Sequence, residues 1–535
     1  MGCLSCVEAN YQIGSNLIPL DQQFDIYHAE IPIENIEMRM ADSLSGYSST
    51  KICIGAIRDE LYGLTSRECA LTLVPLYDTL DWGNVQKINS FKLRAVFDTV
   101  SVSKNENKHI LQRVFVNELN PVEDIKKLTD ANDCAGLISH GSESIVKGSP
   151  LIDGSKDLEL NFTEDYARKF LERSQGMVLS KDMDEFLQQL PGIYLSTESP
   201  STEGGRINIF NLQMDYNSTS YYLQDNFGEI NITSTFDEET GPVDTTFFFF
   251  YGELEYHNVD SLAINYSTGT FPQYAINLTK HSTRDKAGAA LDKVYVEGGA
   301  GLKPVIPASE LRSLALRCIG DTLAANGRSI DESNKAFINK ASIVLPFDAP
   351  NSWEELDNFF PPRLSPVCKI KTDTTASYMG LADSSNSKGD QGDIDRSNLL
   401  YSPDISYHLQ QLIMAEDDNE NLVKGNYDVW MLLMNIETTT SSNSNSSSDM
   451  NEYLQYLAYQ SYYNSMYGYG SSYGNSYYNN YYSYMMAAMY ASGSSTTTTS
   501  DYELDKDCFY RAVLCGPQSS SRKPVLKITF SLPRD

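Results

Sequence analysis

Alternation of apolar and polar residues dominates this 535-residue chain. The clearest case is 92–103, where Leu93, Ala95 and Phe97 share one face and polar or basic residues occupy the other. This period of two indicates a half-buried strand, and 110–119 supplies a companion strand after a turn rich in Asn and Lys. Similar runs predict strands at 69–74, 191–197, 205–214, 245–251 and 427–435, and a closing strand pair at 510–514 and 524–532.

Helical periodicity is confined to a few short segments. In 162–189, apolar residues recur every three to four positions and predict two amphipathic helices. We expect a third helix over 308–319, with Ser309 as its N-terminal cap, and a fourth over 405–414. The chain is therefore predicted to be mostly β, with a few short helices.

Two distant segments repeat one pattern. Residues 88–98 align without gaps on 338–348, sharing Ile-Asn at the start, an apolar residue in the middle and Phe-Asp at the end. Because each copy opens a strand, we predict two related antiparallel β-sandwich modules of the jelly-roll-like type. The expected division is an anchor and tether over 1–22, an N-terminal domain over 23–300 and a C-terminal domain over 301–535.

The C-terminal domain is predicted to carry a low-complexity insertion at 437–500. Ser, Asn and Thr flank a middle part rich in Tyr and Met. Tyrosine rings offer a large contact area with a polar tip and Met adapts to irregular surfaces, so the insertion is a candidate contact surface for a partner. A self-adhering loop without a specific role is the alternative. The candidate contact residues are Tyr462, Tyr463, Tyr467, Tyr469, Tyr473, Tyr477 and Tyr478.

The excess of acidic over basic residues restricts the kinds of partner that the chain can bind. The chain has 41 basic and 71 acidic residues and a formal charge of -30, which repels nucleic acid and anionic membrane surfaces alike, so no nucleic-acid partner is predicted. No run of eighteen apolar residues occurs, so no transmembrane helix is expected. The nine scattered cysteines do not indicate a dense disulfide framework. Separate buried thiols are the preferred interpretation of Cys508 and Cys515, with a pair between them as the alternative.

Patterns of catalytic and metal-binding residues are missing from the sequence. The six histidines are far apart and show no ligand spacing. Acidic pairs such as Asp182 with Asp184 are expected by chance among so many carboxylates, so no glycosidase pair is assigned. The aspartates in 389–395 hint at a calcium loop but lack its order, which favours a solvated acidic loop. We therefore predict a non-enzymatic protein with no cofactor.

The N-terminal stretch carries a candidate lipid-attachment site. A small residue, Ser5, precedes Cys6, and a hydrophilic run follows, which fits a lipidated cysteine with a tether behind it. Acylation at Gly2 is a second interpretation, although that motif requires Ser or Thr where Cys6 stands. Ordinary thiols on a frayed terminus are the third. On the first interpretation, Cys6 is the lipidation site.

Motifs along nearly the whole chain carry a family resemblance. They are Cys6, 13–17, 42–43, 54–63, 186–194, 204–205, 338–341 and 524–529. With them the chain resembles a family of Bacteroidota lipoproteins defined only as domain of unknown function 4270. The resemblance implies a lipoprotein of the outer membrane that is exposed at the cell surface and has no catalytic residues to transfer. The sequence departs from the family pattern at Cys3, which duplicates the candidate cysteine.

The function that we expect is binding at the cell envelope. The chain is predicted to be an accessory or binding subunit of an outer-membrane protein assembly, held in the outer membrane by its N-terminal lipid. Its expected partner is a β-barrel outer-membrane protein or another envelope protein. The alternative is a surface lipoprotein that binds glycans in the manner of a carbohydrate-binding module, an analogy of architecture.

Overall fold

The computed structural model describes most of the chain between residues 24 and 533. The gaps are 42–43, 45, 49–50, 76, 78, 103–104, 122–137, 212–213, 218–221, 226, 251–274, 330–334, 372–375, 384–390, 442–496 and 505–509. Strands far outnumber helices in the described residues, and the sheets are antiparallel. The prediction of a mostly β, sandwich-like fold with a few helices is confirmed.

The strands of the first half of the chain follow one another closely. They are β1 Phe24–Pro32, β2 Glu37–Met40, β3 Tyr47–Ser48, β4 Lys51–Asp59, β5 Gly63–Leu71, β6 Val74–Pro75, β7 Asn84–Ala95, β8 Phe97–Val102, β9 Gln112–Leu119, β10 His140–Ser144, β11 Leu151–Ile152, β12 Leu158–Asn161, β13 Ile193–Thr197, β14 Gly204–Asn211, β15 Met214–Asn217, β16 Tyr222–Asp225, β17 Phe227–Thr235, β18 Val243–Phe250 and β19 Ala275–His281. Helices α1 Glu164–Ser174 and α2 Leu179–Gln189 interrupt them.

Among the described residues, the second half contains the longest helix and three short ones. Its strands are β20 Gly288–Ala289, β21 Lys293–Glu297, β22 Leu302–Ile306, β23 Phe337–Pro346, β24 Arg363–Lys371, β25 Ala376–Gly380, β26 Ile394–Asp395, β27 Leu400–Tyr401, β28 Val429–Ser441, β29 Thr497–Leu504, β30 Arg511–Cys515 and β31 Val525–Pro533. Its helices are α3 Ala308–Ala325, α4 Trp353–Phe359, α5 Ser406–Met414 and α6 Glu420–Val423.

The first hydrophobic core lies between two sheets. Sheet 1 is ten-stranded, with the order β10-β9-β13-β5-β4-β14-β8 and with β11, β19 and β3 off this path; sheet 2 has the order β12-β7-β17-β18-β6. Ile54 and Leu195 of sheet 1 belong to the same buried cluster as Leu93 and Ile230 of sheet 2. Helices α1 and α2 add side chains such as Phe170 to this core. Alternate residues of each strand point inward, as the period of two requires.

A second core is built in the same way from other strands. Sheet 3 has the order β1-β31-β23-β27-β26, and sheet 4 the order β20-β2-β22-β28-β24-β25. Ile343 and Phe530 of sheet 3 share a buried cluster with Leu364 and Met431 of sheet 4, and α3 adds Leu311. The short pair β21 and β30 also contributes to it. The strand predicted over 427–435 is central in its sheet, since β28 lies between β22 and β24.

The two cores do not follow the order of the chain. β1 and β2, which the sequence analysis placed in the N-terminal domain, pack into the second core. Both cores belong to one compact unit that holds most of the chain. A second, smaller unit includes 436–503, of which the structure describes the end of β28 and most of β29.

The first part of the repeated pattern lies on an inner strand in each core. Leu93 on β7 and Ile343 on β23 align with each other in the repeat and are both buried. Each strand is flanked by neighbours on both sides, β7 by β12 and β17 and β23 by β31 and β27. The end of the pattern differs, because 97–98 lie on β8 of sheet 1 whereas 347–348 follow β23, so the relation between the two segments stays a prediction.

Two local expectations, the start of α3 and the pairing of the closing strands, need correction. Helix α3 is longer than predicted, and its N-cap is Pro307; the backbone N–H of Ala308 donates to Asp428 Oδ1 at 3.0 Å, so Ser309 is not the cap. Strands β30 and β31 do not pair, because β30 pairs with β21 and β31 lies between β1 and β23. Cys515 is a free thiol, and Cys508 lies outside the described residues. The two helices predicted over 162–189 and the helix over 405–414 are present as α1, α2 and α5.

Truncation of Leu93 tests the first core. Leu93→Ala removes buried methyl groups and leaves a cavity, so we expect a loss of about 2–5 kcal/mol in the free energy of unfolding. The neighbouring Lys92 points to solvent, with a side chain that is 52% exposed, and Lys92→Ala should change the free energy by less than about 0.5 kcal/mol. Urea denaturation of both variants measures the difference. Equal effects would contradict the assignment of the inward face.

Candidate functional site

The site residues predicted from the sequence lie outside the described part of the chain. These are Cys6 and the tyrosines Tyr462, Tyr463, Tyr467, Tyr469, Tyr473, Tyr477 and Tyr478. The lipidation and contact roles assigned to them stay predictions. The described residues instead show two buried polar networks and two exposed apolar surfaces.

The acidic loop that hinted at calcium is bonded to the protein itself. Both carboxylate oxygens of Asp393 accept from Arg363, at 2.8 and 3.1 Å. The carboxylate of Asp395 accepts from the backbone and side chain of Asn398, at 2.9 and 2.7 Å, which lowers its pKa. No group of three or more His, Cys, Asp or Glu side chains within the described ranges is arranged to hold a metal ion. These two carboxylates therefore shape the loop.

The acidic pair at 182 and 184 is likewise tied to local structure. Asp182 lies within α2, and its Oδ2 accepts from the backbone N–H of Val178 at 2.8 Å. A carboxylate that accepts the free N–H groups of a first helical turn also interacts favourably with the helix dipole. Asp182 therefore stabilises the start of α2.

His408 is a neutral histidine of the second core. It lies on α5, and its Nε2 contacts the carbonyl oxygen of Tyr427 at 3.0 Å, which makes Nε2 the protonated nitrogen. Burial lowers the pKa of His408 to about 4, and the bond to the carbonyl only partly opposes this shift. His408 thus has a packing role near neutral pH.

The strongest concentration of buried charge lies where the two cores meet. We call it the junction cluster: Arg67, His281, Thr283, Glu297 and Lys303. Arg67 on β5 and His281 at the end of β19 come from sheet 1, and Glu297 and Lys303 come from β21 and β22. Every one of these side chains is almost fully buried. Groups of this kind are buried only when they neutralise and hydrogen-bond one another.

The carboxylate of Glu297 is the centre of the junction cluster. Its Oε1 accepts from His281 Nδ1 at 3.3 Å, and its Oε2 accepts from the hydroxyl of Thr283 and from the backbone N–H of Leu302 at 3.3 Å. Burial alone would raise the pKa of Glu297, but these donors outweigh it and hold the pKa below its ordinary value. Burial lowers the pKa of His281, so the pair is a carboxylate beside a neutral imidazole.

A tight turn between β21 and β22 places the positive charge. Lys303 Nζ donates to the carbonyl oxygens of Glu297, Gly299 (2.8 Å) and Gly301 (3.4 Å). Gly299 has a φ of +56°, and a Cβ there would lie 2.8 Å from Arg67 Nη2. A Cβ at Gly301 would lie 2.5 Å from the Cβ of Glu297. Glycine is therefore required at both positions for the turn to approach the charged groups.

Further polar contacts surround the junction cluster. Arg511 on β30 forms an ion pair with Asp59 at the end of β4. The hydroxyl of Tyr62 donates to the carbonyl oxygen of Ala512 at 2.5 Å, and burial raises the pKa of this phenol. Lys286 Nζ donates to a carbonyl of the β4–β5 turn and lies 4.3 Å from the ring centre of Tyr295. The junction is thus a mostly polar seam in which Glu297 and Lys303 each have several hydrogen-bond partners, whereas the buried His281 Nε2 has none among the described residues. We infer that the seam fixes one sandwich against the other.

An apolar surface is exposed on the outer face of sheet 1. We call it the β9 patch: Ile110, Leu111, Phe115 and Leu151, which are 58%, 63%, 41% and 54% exposed. Leu151 pairs with Arg113 in register, so it lies on the outer face between Leu111 and Phe115. Grouped exposed side chains of this kind mark contact surfaces more often than scattered ones do.

A buried arginine holds the β9 patch in shape. Arg206 on β14 donates to the carbonyl oxygens of Asn107 (3.3 Å), Ile110 and Ile152 (2.5 Å), and its Nε donates to Asn208 Oδ1 at 2.8 Å. Burial lowers the pKa of Arg206, although a guanidinium stays charged at any physiological pH. Because the accepting carbonyls belong to the segments that carry the patch, Arg206 is a positioning residue for it.

A second exposed apolar surface lies on the outer face of sheet 3. We call it the β1 patch: Phe24, Ile26 and Phe337, which are 44%, 61% and 54% exposed.

None of the helices in the described ranges has the length and apolar content to span a bilayer.

Neither polar network and neither apolar patch was found from the sequence, because their members come from strands far apart in the chain. The Gly298, Gly299 and Gly301 run after Glu297 was the one local signal of a close approach.

Removing the charge of Glu297 tests the junction cluster. Glu297→Gln keeps the size of the side chain but removes the buried charge that accepts from His281, Thr283 and the backbone N–H of Leu302, so we expect a loss of about 3–5 kcal/mol in the free energy of unfolding. The matched control is Glu239→Gln in the exposed β17–β18 turn, with an expected change of less than about 0.5 kcal/mol. Urea denaturation measures both, and a neutral Glu297→Gln would contradict the account.

The pH dependence of stability tests His408. Its folded pKa of about 4 lies below the ordinary 6.5, so the unfolded chain binds the proton first as the pH falls. Stability from this group is complete above pH 6.5 and is lost as the pH falls towards 4, by about 3 kcal/mol. We expect His408→Gln to flatten the measured curve of unfolding free energy between pH 7 and 4. Parallel curves for the two proteins would show that His408 does not contribute.

Comparison with known proteins adds no relative to this picture. No family model matches the chain, and neither a curated protein nor a solved structure shows a significant match to it.

Proposed function

We propose that this protein is a non-enzymatic binding subunit of the cell envelope, anchored in the outer membrane by a lipid on Cys6. It belongs on this proposal to the lipoprotein family defined as domain of unknown function 4270. The observation that carries the binding role is the β9 patch, an exposed apolar surface held in place by a buried arginine.

The construction of the β9 patch supports binding of a protein surface. Phe115 and Leu151 lie on paired strands and Leu111 directly precedes β9, so little conformational entropy is lost when a partner covers them. Burial of apolar area is the main favourable term in such association. The hydrogen bonds from Arg206 to the carbonyl oxygens of Ile110 and Ile152 hold the backbone that carries these side chains.

The charge of the chain restricts which partner fits. A protein with a formal charge of -30 is repelled by strongly acidic surfaces and attracted by basic ones. The proposed partner is therefore an envelope protein, such as a β-barrel outer-membrane protein, with an apolar contact area and a neutral or basic rim. The predicted tyrosine contacts in 437–500 would add to this interface.

The arrangement of the exposed aromatic rings in the described residues favours a protein partner over a glycan. Trp353 is 63% exposed and Tyr407 is 55% exposed, and each belongs to a different helix. The exposed pair Phe24 and Phe337 meets edge to face at 79°. A sugar ring stacks on a flat aromatic face, and among the described residues no two of these exposed rings provide one together. We therefore propose a protein, not a glycan, as the partner.

Changing the β9 patch tests the proposed function. The full chain, tagged at its C terminus, is expressed in its own cells and recovered from detergent-solubilised membranes with whatever it binds. We expect Leu111→Ser with Leu151→Ser to lower recovery of an envelope protein at least about tenfold, because two apolar contacts are lost. Mass spectrometry of the recovered proteins gives the ratio.

Val423→Ser is the matched control, since Val423 is 73% exposed on α6 and lies outside the patch. Its recovery of the same envelope protein should equal that of the unchanged chain. Equal recovery by the double variant and the control would contradict the assignment of the β9 patch. Circular dichroism and the urea midpoint confirm that all three proteins are folded.

A further inference from the structure

The outer face of sheet 3 changes character along its strands. The register places Ile26, Ser531 and Phe337 in one row across β1, β31 and β23, with Phe24 opposite Pro533 at the tip. Phe24 and Phe337 contact each other with ring centres 5.8 Å apart. Ser531 lies between the apolar side chains and is only 7% exposed, so they cover the backbone at this end of the sheet.

The rows next to the β1 patch are polar or positively charged. His28, Thr529 and Lys340 form the following row, and His28 Nδ1 lies 2.9 Å from Thr529 Oγ1. Arg328 reaches the tip itself, where its Nη1 donates to the carbonyl oxygen of Pro533 at 2.7 Å.

On the outer face of sheet 3, the carboxylates of the described residues are set back from the β1 patch. The first one on this face of β1 is Glu30, which is paired with Lys527 at 2.9 Å, whereas Asp25 lies on the opposite face of β1. Among the described residues, the outer face around the β1 patch is therefore apolar with the exposed Lys340 beside it, although the chain as a whole has a charge of -30. This local reversal of sign fits an anionic surface with an apolar layer beneath it.

The β1 patch also lies where the chain from Cys6 enters the fold. Residues 7–23 separate Cys6 from Phe24, and an extended chain of that length reaches at most about 60 Å. A lipid on Cys6 would therefore hold the start of β1 within that distance of the bilayer. Such confinement raises the effective concentration of the patch at the membrane surface, so that even a weak contact is occupied.

We propose that the β1 patch rests on the membrane, with Phe24, Ile26 and Phe337 inserted among the lipid headgroups and Lys340 and Arg328 against anionic lipid. This inference builds on the proposed lipid anchor and adds the orientation of the protein. The β9 patch belongs to a different sheet and stays available to the protein partner. Aromatic and aliphatic side chains at the end of a rigid sheet enter the interfacial layer without any rearrangement of the backbone.

Vesicle binding by an unlipidated chain tests the proposal directly. The protein with Cys6→Ser is mixed with vesicles of phosphatidylcholine that contain phosphatidylglycerol, at millimolar lipid, and the bound fraction is measured by sedimentation. We expect measurable partitioning that falls at least about tenfold when Phe24, Ile26 and Phe337 are all changed to Ser. The same chain with Leu111→Ser and Leu151→Ser is the matched control and should bind vesicles as before. Unchanged binding by the triple variant, or no binding by the Cys6→Ser chain, would overturn the proposal.

A depth probe covers the case in which the triple variant is poorly folded. In the Cys6→Ser chain, Phe337→Trp should be quenched by lipids brominated along the acyl chain, whereas Leu111→Trp should not be quenched. Equal quenching at the two positions would contradict the orientation. A β1 patch that instead mediates pairing of two copies would show as a dimer in sedimentation analysis that the triple variant abolishes, with vesicle binding unchanged, and this outcome would also overturn the proposal.

The anchor and the orientation fail separately. If Cys6 carries no lipid in cells while the vesicle results hold, the lipid anchor is wrong and the membrane-facing patch stands. If Cys6 is lipidated and the triple variant binds vesicles as the unchanged chain does, the anchor stands and the patch is wrong.

Discussion

The arrangement of this protein depends on one buried carboxylate, that of Glu297. Taking an ionised group out of water costs several kcal/mol, and here the cost is offset by donors from His281, Thr283 and the backbone of Leu302, with the charge of Lys303 nearby. His281 and Thr283 belong to the first sandwich and Glu297 to the second. The hydrogen bonds of the carboxylate therefore form in only one orientation of the two sandwiches, whereas apolar contact alone would be compatible with several.

The same principle operates on a smaller scale at Arg206. Its donors are distributed over carbonyl oxygens of separate segments, so the segments that carry the β9 patch are held together from beneath. A charged group whose donors are bound to fixed acceptors is directional in a way that hydrophobic burial is not. Arg206 thus positions the segments from which the β9 patch is exposed. In the proposed function, the exposed residues are the ones that act: the β9 patch towards a protein and the β1 patch towards the membrane.

Whether a feature of the fold could be predicted from the sequence depends on how far apart in the chain the interacting residues lie. Alternation over 92–103 and helical spacing over 162–189 are local, so β7, α1 and α2 appear in the sequence. The partner of a strand depends on residues hundreds of positions away, which is why the closing strands were paired wrongly and β1 was placed in the wrong core. The cap of α3 failed for the same reason, since the acceptor is Asp428 from a distant strand end.

The candidate sites were less predictable than the fold. His281 was judged isolated because Glu297 stands 16 positions later, beyond the range of any ligand motif. The patches consist of ordinary apolar residues, and only the sheet register shows that Ile26 and Phe337 are neighbours across Ser531. For Cys6 the situation is reversed. Its motif is local and chemically specific, so the sequence predicts the site, but the residue lies outside the described part of the chain.

The lipid on Cys6 is the claim on which the proposed membrane anchor depends. It is tested most directly by mass spectrometry of the N-terminal peptide of the protein isolated from membranes of its own cells. The account predicts a mature chain that begins at Cys6 and carries acyl chains on that residue. A peptide that runs through Cys6 with an unmodified thiol would contradict it.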